Sequence, residues 1–354
     1  MKKFFLSLFV LLLLLAGGVA WLGKWYSVQP LKVAGGATEF TVPRGAGMRQ
    51  TAETMARAGV RAHPILLTML ARATGHTFMK AGTYEVKSGI TPLQLLLKVE
   101  SGDVKKSAVL FVEGWTFKQA REALEKHPDL LADTVGLSDD ELLARIGADA
   151  KHPEGLFFPD TYTFDKNTSA LAVLTRAYRA MQTRLESEWA KRDANLPLKK
   201  PYDALILASI VEKETAHPDD RLRIANVFIN RLRVGMLLQT DPTVIYGMGD
   251  KYTGKLRYAD LDADTPWNTY VHAGLPPTPI ALPGLKSLQA VLHPEGGDML
   301  YFVARGDGRS EFSRTLNEHN KAVAKYQRGG RAVPNRRAAA AKDAKAVKRG
   351  KDKK

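Results

Sequence analysis

The sequence predicts an α+β protein carried on one N-terminal transmembrane helix. Phe4 to Leu22 runs 19 residues without a charge, roughly 28 Å as a helix, which matches a bilayer core. Behind it, short alternating segments such as Thr38–Val42 and Thr83–Val86 are interleaved with segments of helical spacing. The 354 residues, 45% hydrophobic and 25% charged, have ordinary globular composition and room for two or three cored domains.

The elements follow in order. Residues 1–26 form a cytoplasmic tip and anchor. Lys2, Lys3 and the amino terminus outweigh Lys24, so the N-terminus is expected inside and the body outside; Trp21, Trp25 and Tyr26 suit an interfacial belt. A cleavable signal peptide is the competing reading, but the apolar run is longer than a typical one and no clear small-x-small site precedes the polar chain. Residues 27–37 are expected to be a linker. Residues 38–104 are a small αβ module: strand Thr38–Val42, helix Met48–Ala58 closed by Gly59, helix Pro64–Arg72, strand Thr83–Val86, and helix Pro92–Val99 capped by Thr91 with proline in its first turn. Residues 105–200 hold strand Ala108–Val112, a helix capped by Thr116 and running to Lys126, helix Asp139–Ile146 capped by Ser138, the aromatic element Glu154–Phe164, and the long helix Ala170–Arg192. Residues 201–327 are the densest part, with helices Asp203–Thr215 and Arg221–Arg233 (Gly235 following), a polar turn in "QTDPTVIYG", an irregular stretch Trp267–Gly284, a buried strand Met299–Ala304 and a closing helix Leu316–Tyr326. Residues 328–354 are a basic tail with little to bury, expected to be disordered.

The net charge of +15 invites a nucleic-acid reading, but nine of those charges come from eleven Lys/Arg against two Asp in the tail, leaving six for the other 327 residues. That is a tail and not a binding stripe, so no nucleic acid is expected. Cysteine is absent, which rules out disulfides and thiolate zinc sites and suits an extracytoplasmic protein. His217, His272, His293 and His319 lack zinc-type spacing, and there is no phosphate-binding loop or dinucleotide fingerprint. No metal or cofactor is expected.

The chemistry concentrates in "LASIVEKETA", Leu207–Ala216. Two residues apart on a helix do not share a face. Leu207, Ile210, Val211 and Glu214 form the larger apolar stripe, while Leu205, Ala208, Ser209 and Glu212 form its neighbour, closer to solvent. A carboxyl on an apolar stripe loses hydration and gains pKa, as a general acid requires. The alternative is that Glu214, in the last turn, reaches water and does nothing. Gln239, Thr240, Asp241, Asn268 and Tyr270 provide neutral donors and acceptors suited to a glycan, although turn chemistry alone accounts for any one of them.

"ASIVEKETA", "RIANVFINRLRVGMLLQTDPTVIYGMG", "WNTYVHAGLPPTPIALPG", "AVLHP" and "YFVA…FSRTLNEHN" closely resemble the YceG-like family, the endolytic murein transglycosylases. "VEGWT" and "EGLFFPDTY" resemble its upstream motifs, and "KAGTYEVKSGITPLQLLLKVESG" its LysM-like module. The resemblance runs from the anchor to about Tyr326 and excludes the tail. It implies a LysM-like module and a lytic-transglycosylase-type catalytic domain, in a single-pass inner-membrane protein with its catalytic domain in the periplasm. It implies endolytic cleavage of MurNAc–GlcNAc bonds in nascent peptidoglycan strands, leaving 1,6-anhydro-MurNAc ends and limiting strand elongation. Glu214 is then the single catalytic acid/base, Gln239, Thr240, Asp241, Asn268 and Tyr270 are candidate substrate contacts, and peptidoglycan synthases are candidate partners. A non-catalytic wall-binding scaffold is the rival reading; it gives no reason for a carboxyl on the apolar stripe.

Overall fold

The structure is a computed structural model and describes residues 2–214 and 217–327. Thr215 and the basic tail, on which two of the expectations fall, lie outside the described residues. The chain forms two compact units. Of the described residues, the first holds those up to Val109 together with His127–Ala132 and Tyr162–Ala170; the second holds Leu110–Lys126, Asp133–Thr161 and those from Leu171 to Gln327.

In the first unit, helix α1 (Lys2–Val28) leads to strand β1 (Ala37–Val42), helices α2 (Met48–Arg57) and α3 (Pro64–Thr74), strand β2 (Gly82–Lys87) and helix α4 (Pro92–Ser101). The stretch Phe4–Val28 is long and apolar enough to cross a membrane. β1 and β2 pair antiparallel from Ala37 opposite Lys87 to Val42 opposite Gly82. They turn Phe40, Val42, Tyr84 and Val86 onto a core shared with Met55, Leu67, Leu95 and Leu96. Thr91 caps α4 through a full capping box with Gln94, which satisfies two of the N-terminal amides that an α-helix leaves open. The segment expected to be a linker is partly built in: Leu31 and Val33 are buried in this core, and Val33 bridges Val60. Strand β3 (Lys106–Leu110) starts two residues before the expected position; with β4 (Leu130–Leu131), β5 (Thr161–Asp165) and β6 (Thr168–Ser169) it forms two further two-stranded sheets, β3 with β5 and β4 with β6.

The second unit is mainly helical. Helices α5 (Phe117–Glu125), α6 (Asp139–Ile146) and α7 (Ala170–Lys191) precede α8 (Pro201–Glu214), α9 (Arg221–Arg233), α10 (Asp241–Met248), α11 (Tyr258–Leu261) and α12 (Leu285–Leu292). The hairpin β7 (Tyr301–Ala304) and β8 (Ser310–Ser313), antiparallel, and helix α13 (Leu316–Gln327) close it. Thr116 and Ser138 form capping boxes on α5 and α6, as expected from their positions. Several elements of this unit differ from expectation. The stretch "QTDPTVIYG" contains helix α10, begun at Asp241-Pro242, where the proline fits a first turn that has no use for its N–H. Helix α12 and strand β8 were unforeseen. The strand expected to be buried is half-exposed, and only Val303 is buried.

α8 is the axis of this unit. Every residue from Ala204 to Val211 is buried, with α9 and α12 packed against it. Such a helix hides its whole circumference in protein. Asp203 Oδ2 accepts from the Lys199 and Lys200 amides at its start, at 2.8 and 3.2 Å. In its middle, Ser209 Oγ accepts from the Ile280 amide at 2.9 Å, tying it to the irregular stretch that ends at Gly284.

Candidate active site

Burial of α8 on all sides changes the reading of its two glutamates. Glu212 was expected nearer to solvent. Instead its side chain is 7% exposed and lies 3.6 Å from the Arg221 guanidinium, itself 12% exposed. Its other oxygen accepts from the Gly284 amide at 2.9 Å. A Cβ at Gly284 would meet the exposed Glu113 carboxyl, which would have to swing aside. Glu212 is therefore committed to an ion pair and a loop contact. Helical phase misplaced it because both stripes of α8 face protein.

Glu214, one half-turn further, ends the helix with a different set of neighbours. Thr240 donates its hydroxyl to Glu214 Oε1. The Arg231 charge draws the Glu214 pKa down and Asp241 pushes it up, but loss of hydration dominates and holds it at about 7. Arg231 is buried and fixed by Nε to Leu300 O at 2.7 Å and Nη1 to Leu238 O at 2.6 Å. It sits on the apolar stripe of α9 with Ile224, Val227 and Phe228. A charge on an apolar stripe was the signal that singled out Glu214, and it would have found Arg231 too.

A turn in the chain brings Thr240 to Glu214. Gln239 has φ +48°, a left-handed conformation that costs a non-glycine residue about 1 kcal/mol. Its amide donates to Thr269 O at 3.1 Å, and the Thr240 amide donates to Thr269 Oγ1 at 3.1 Å. Thr243 donates to Thr240 O at 2.7 Å and shares a 2.9 Å contact with Thr269 Oγ1. This threonine cluster is buried and was not anticipated from sequence, because each hydroxyl by itself looks like turn chemistry.

The five residues expected to contact substrate separate into two groups. Gln239, Asp241 and Tyr270 keep exposed surface, and Tyr270 donates to Asp241 Oδ1 at 2.6 Å. Thr240 and Asn268 are buried. The Asn268 amide nitrogen donates to Leu261 O and Ala263 O, and its oxygen accepts from the Tyr270 amide. Asn268 has both amide protons committed within the protein and pins the loop that carries Tyr270. Thr240 spends its hydroxyl on Glu214. Both satisfy their polar groups inside the protein, as a buried amide or hydroxyl must.

A second buried carboxyl was also missed. Glu154 is 3% exposed. It accepts from the Phe117 amide at 2.9 Å and from Tyr246 OH at 3.1 Å, so it joins the start of α5 to α10. Burial holds its pKa at about 7 as well. Tyr246 packs edge-on against Trp267, whose Nε1 donates to Thr278 Oγ1 at 2.9 Å. Glu154 lies in a loop, where there is no helical or strand period to mark it.

The end of α8 thus carries a desolvated carboxyl poised to give or take a proton near neutral pH, and the turn and loop that supply Thr240 and Tyr270 carry amide, carboxylate and phenol groups with exposed surface. That is the equipment of a general acid–base site acting on a polyhydroxylated substrate. The chain belongs to the YceG-like family, whose profile matches residues 40–325. It is 35% identical to the endolytic murein transglycosylase of Bacillus subtilis strain 168 over 76% of this chain and 70% of that one. To the endolytic murein transglycosylase of Streptococcus pneumoniae strain D39 it is 26% identical over 92% of this chain and 65% of that one. The crystal structure of a yceG-like protein from Listeria monocytogenes superposes with a TM-score of 0.54 at 31% identity, covering 81% of this chain and 99% of the other.

Proposed function

We propose that the chain is an endolytic murein transglycosylase in which Glu214 is the sole proton donor and acceptor. The observation that carries this is the desolvated Glu214 carboxyl with the Thr240 hydroxyl donating to it, in a family whose curated relatives are named for that activity. The protonated carboxyl gives its proton to the glycosidic oxygen as the C1–O4 bond between MurNAc and GlcNAc breaks. The resulting carboxylate takes the proton of the MurNAc C6 hydroxyl, whose oxygen closes on C1. A 1,6-anhydro ring forms, the acid is regenerated and no water is consumed. Most glycosidases need a second carboxylate; here the substrate supplies the nucleophile. Glu212, held by Arg221 and Gly284, is not available for that role. Gln239, Asp241 and Tyr270 contact sugar in this reading, while Thr240 and Asn268 position the site.

The rest of the chain fits the same reading. α1 is an uncleaved inner-membrane anchor with the N-terminus cytoplasmic, the first unit is LysM-like, and the second unit is the catalytic part, facing the periplasmic wall. The test is digestion of purified peptidoglycan by the protein, with mass analysis of the products. Fragments ending in 1,6-anhydro-MurNAc, released from within strands, support the reading. Free reducing ends would make the enzyme a hydrolase and put this scheme aside.

Thr240 gives a finer check. Its hydroxyl stabilises the carboxylate form, so removing it raises the Glu214 pKa further above its present value of about 7. The acid must be protonated to act, and activity therefore falls as pH rises through that value. Thr240→Val is expected to move this alkaline limb to higher pH. A pH–rate profile on isolated glycan measures it, and a limb that stays in place would mean the contact does not tune the acid.

A further inference from the structure

Helix α3 is apolar on two faces. Leu67, Leu70 and Ala71 point into the core of the first unit. On the other side Ile65 is 60% exposed, Leu66 41% and Met69 61%. These three large apolar side chains share one stripe of a short helix and keep much of their surface open, and contiguous exposed apolar surface of this kind marks a contact with something else.

The neighbouring element indicates what that is. The end of α1 lies beside α3 across an open groove, with Leu22, Trp25 and Tyr26 on one wall and Leu66, Met69 and Ala73 on the other. About 20 residues of helix cross a hydrocarbon core, so a span that begins at Phe4 leaves the core near Lys24. The groove is therefore at the level where α1 exits the bilayer, and α3 is fixed at that level by its place in the same unit. Trp21 and Trp25 are exposed there, 66% and 52%, as interfacial aromatics are. From Val60 to Phe78 the chain has Arg61 and Arg72 and no carboxylate, a balance that favours an anionic headgroup layer.

We propose that the outer face of α3, Ile65, Leu66 and Met69, is seated in the headgroup–acyl boundary of the membrane that α1 crosses. The first unit then lies on the bilayer surface and does not swing from a tether. This rests on α1 being a membrane span. An amphipathic helix with one face in the interface binds in proportion to the apolar area it buries there.

The absence of cysteine allows single labels to be placed in the full chain. Leu12→Cys, Met69→Cys and Tyr258→Cys would each carry an environment-sensitive fluorophore, in vesicles of phosphatidylethanolamine and phosphatidylglycerol containing brominated lipid. Tyr258, 85% exposed in the second unit, is the aqueous reference. The expected result is strong quenching at Leu12 and several-fold more quenching at Met69 than at Tyr258, with a blue-shifted Met69 emission. Leu12 quenched while Met69 matches Tyr258 would overturn the docking and leave the anchor standing. Leu12 unquenched would overturn both. A Met69 label shielded only at high protein density, and not by brominated lipid, would identify a second copy of the chain as the occupant and overturn the assignment to lipid.

Discussion

Replacing Glu214 by Gln is expected to abolish strand cleavage and, at pH 8, to make the protein more stable. Both effects have the same origin. General acid–base transfer is worth about 10²–10⁴-fold in rate, and here one group performs both transfers, so turnover should fall at least that far. Gln keeps the size of the side chain and an oxygen to accept from Thr240, so KM should change little. Stability moves the other way. The Glu214 pKa is 4.5 when exposed and about 7 in the folded chain. The folded state holds the proton more tightly than the unfolded one, so the favourable contribution is complete below 4.5 and is lost as pH rises through 7. At roughly 1.4 kcal/mol per pH unit, the loss by pH 8 is on the order of 3 kcal/mol. Gln carries no such loss. Thermal melts of the two proteins should therefore diverge at pH 8 and converge below pH 5. A Glu214→Gln protein that keeps a tenth or more of wild-type turnover would remove this residue from the mechanism. A stability gap that does not vary with pH would remove the desolvation account of its pKa.

The sequence makes some of this visible because it is local. Thr91, Thr116 and Ser138 each precede a helix and have Gln or Glu three residues on; a cap needs only its own turn, and all three starts could be placed. The alternation of Thr38–Val42 works in the same way, since one strand face meets one core. Contacts between distant segments were not visible. α12 starts after Gly284 without a side-chain cap, and its place against α8 depends on packing that no period encodes. Leu31 and Val33 look like linker residues until the core that covers them has formed. Glu214 could be picked out because it extends an apolar stripe. Its donor Thr240 is 26 residues away, in a turn that depends on Gln239 adopting a left-handed conformation. Helical phase put the two glutamates on different faces but assigned the wrong surroundings to Glu212, because an all-buried helix has no solvent face for phase to point to.

That buried glutamate leads to the second large effect. Arg221→Met should destabilise the second unit strongly while leaving the proton chemistry intact. Glu212 is 7% exposed; without Arg221 it keeps the Gly284 amide but loses its countercharge. Removing one partner from a buried pair costs about 3–5 kcal/mol, because the charge left behind is uncompensated. At about 2–4 °C per kcal/mol for a domain of this size, the melting midpoint should drop roughly 6–12 °C at the lower end of that range. The protein that remains folded should show the same alkaline limb in its pH–rate profile, since Glu214 and Thr240 are untouched. Adding Glu212→Gln to Arg221→Met removes the stranded charge and keeps an oxygen for the Gly284 amide, so much of the lost stability should return. Glu212→Gln alone leaves Arg221 as the unpaired charge and should cost stability but not turnover per folded molecule. The measurement is a double-mutant cycle of melting midpoints, with turnover assayed well below the lowest of them. If Glu212→Gln instead destroys turnover with its midpoint unchanged, Glu212 takes part in the reaction and the single-carboxyl scheme is wrong. If Arg221→Met melts within a degree or two of wild type, the pair holds little and the Gly284 contact alone keeps Glu212 in place.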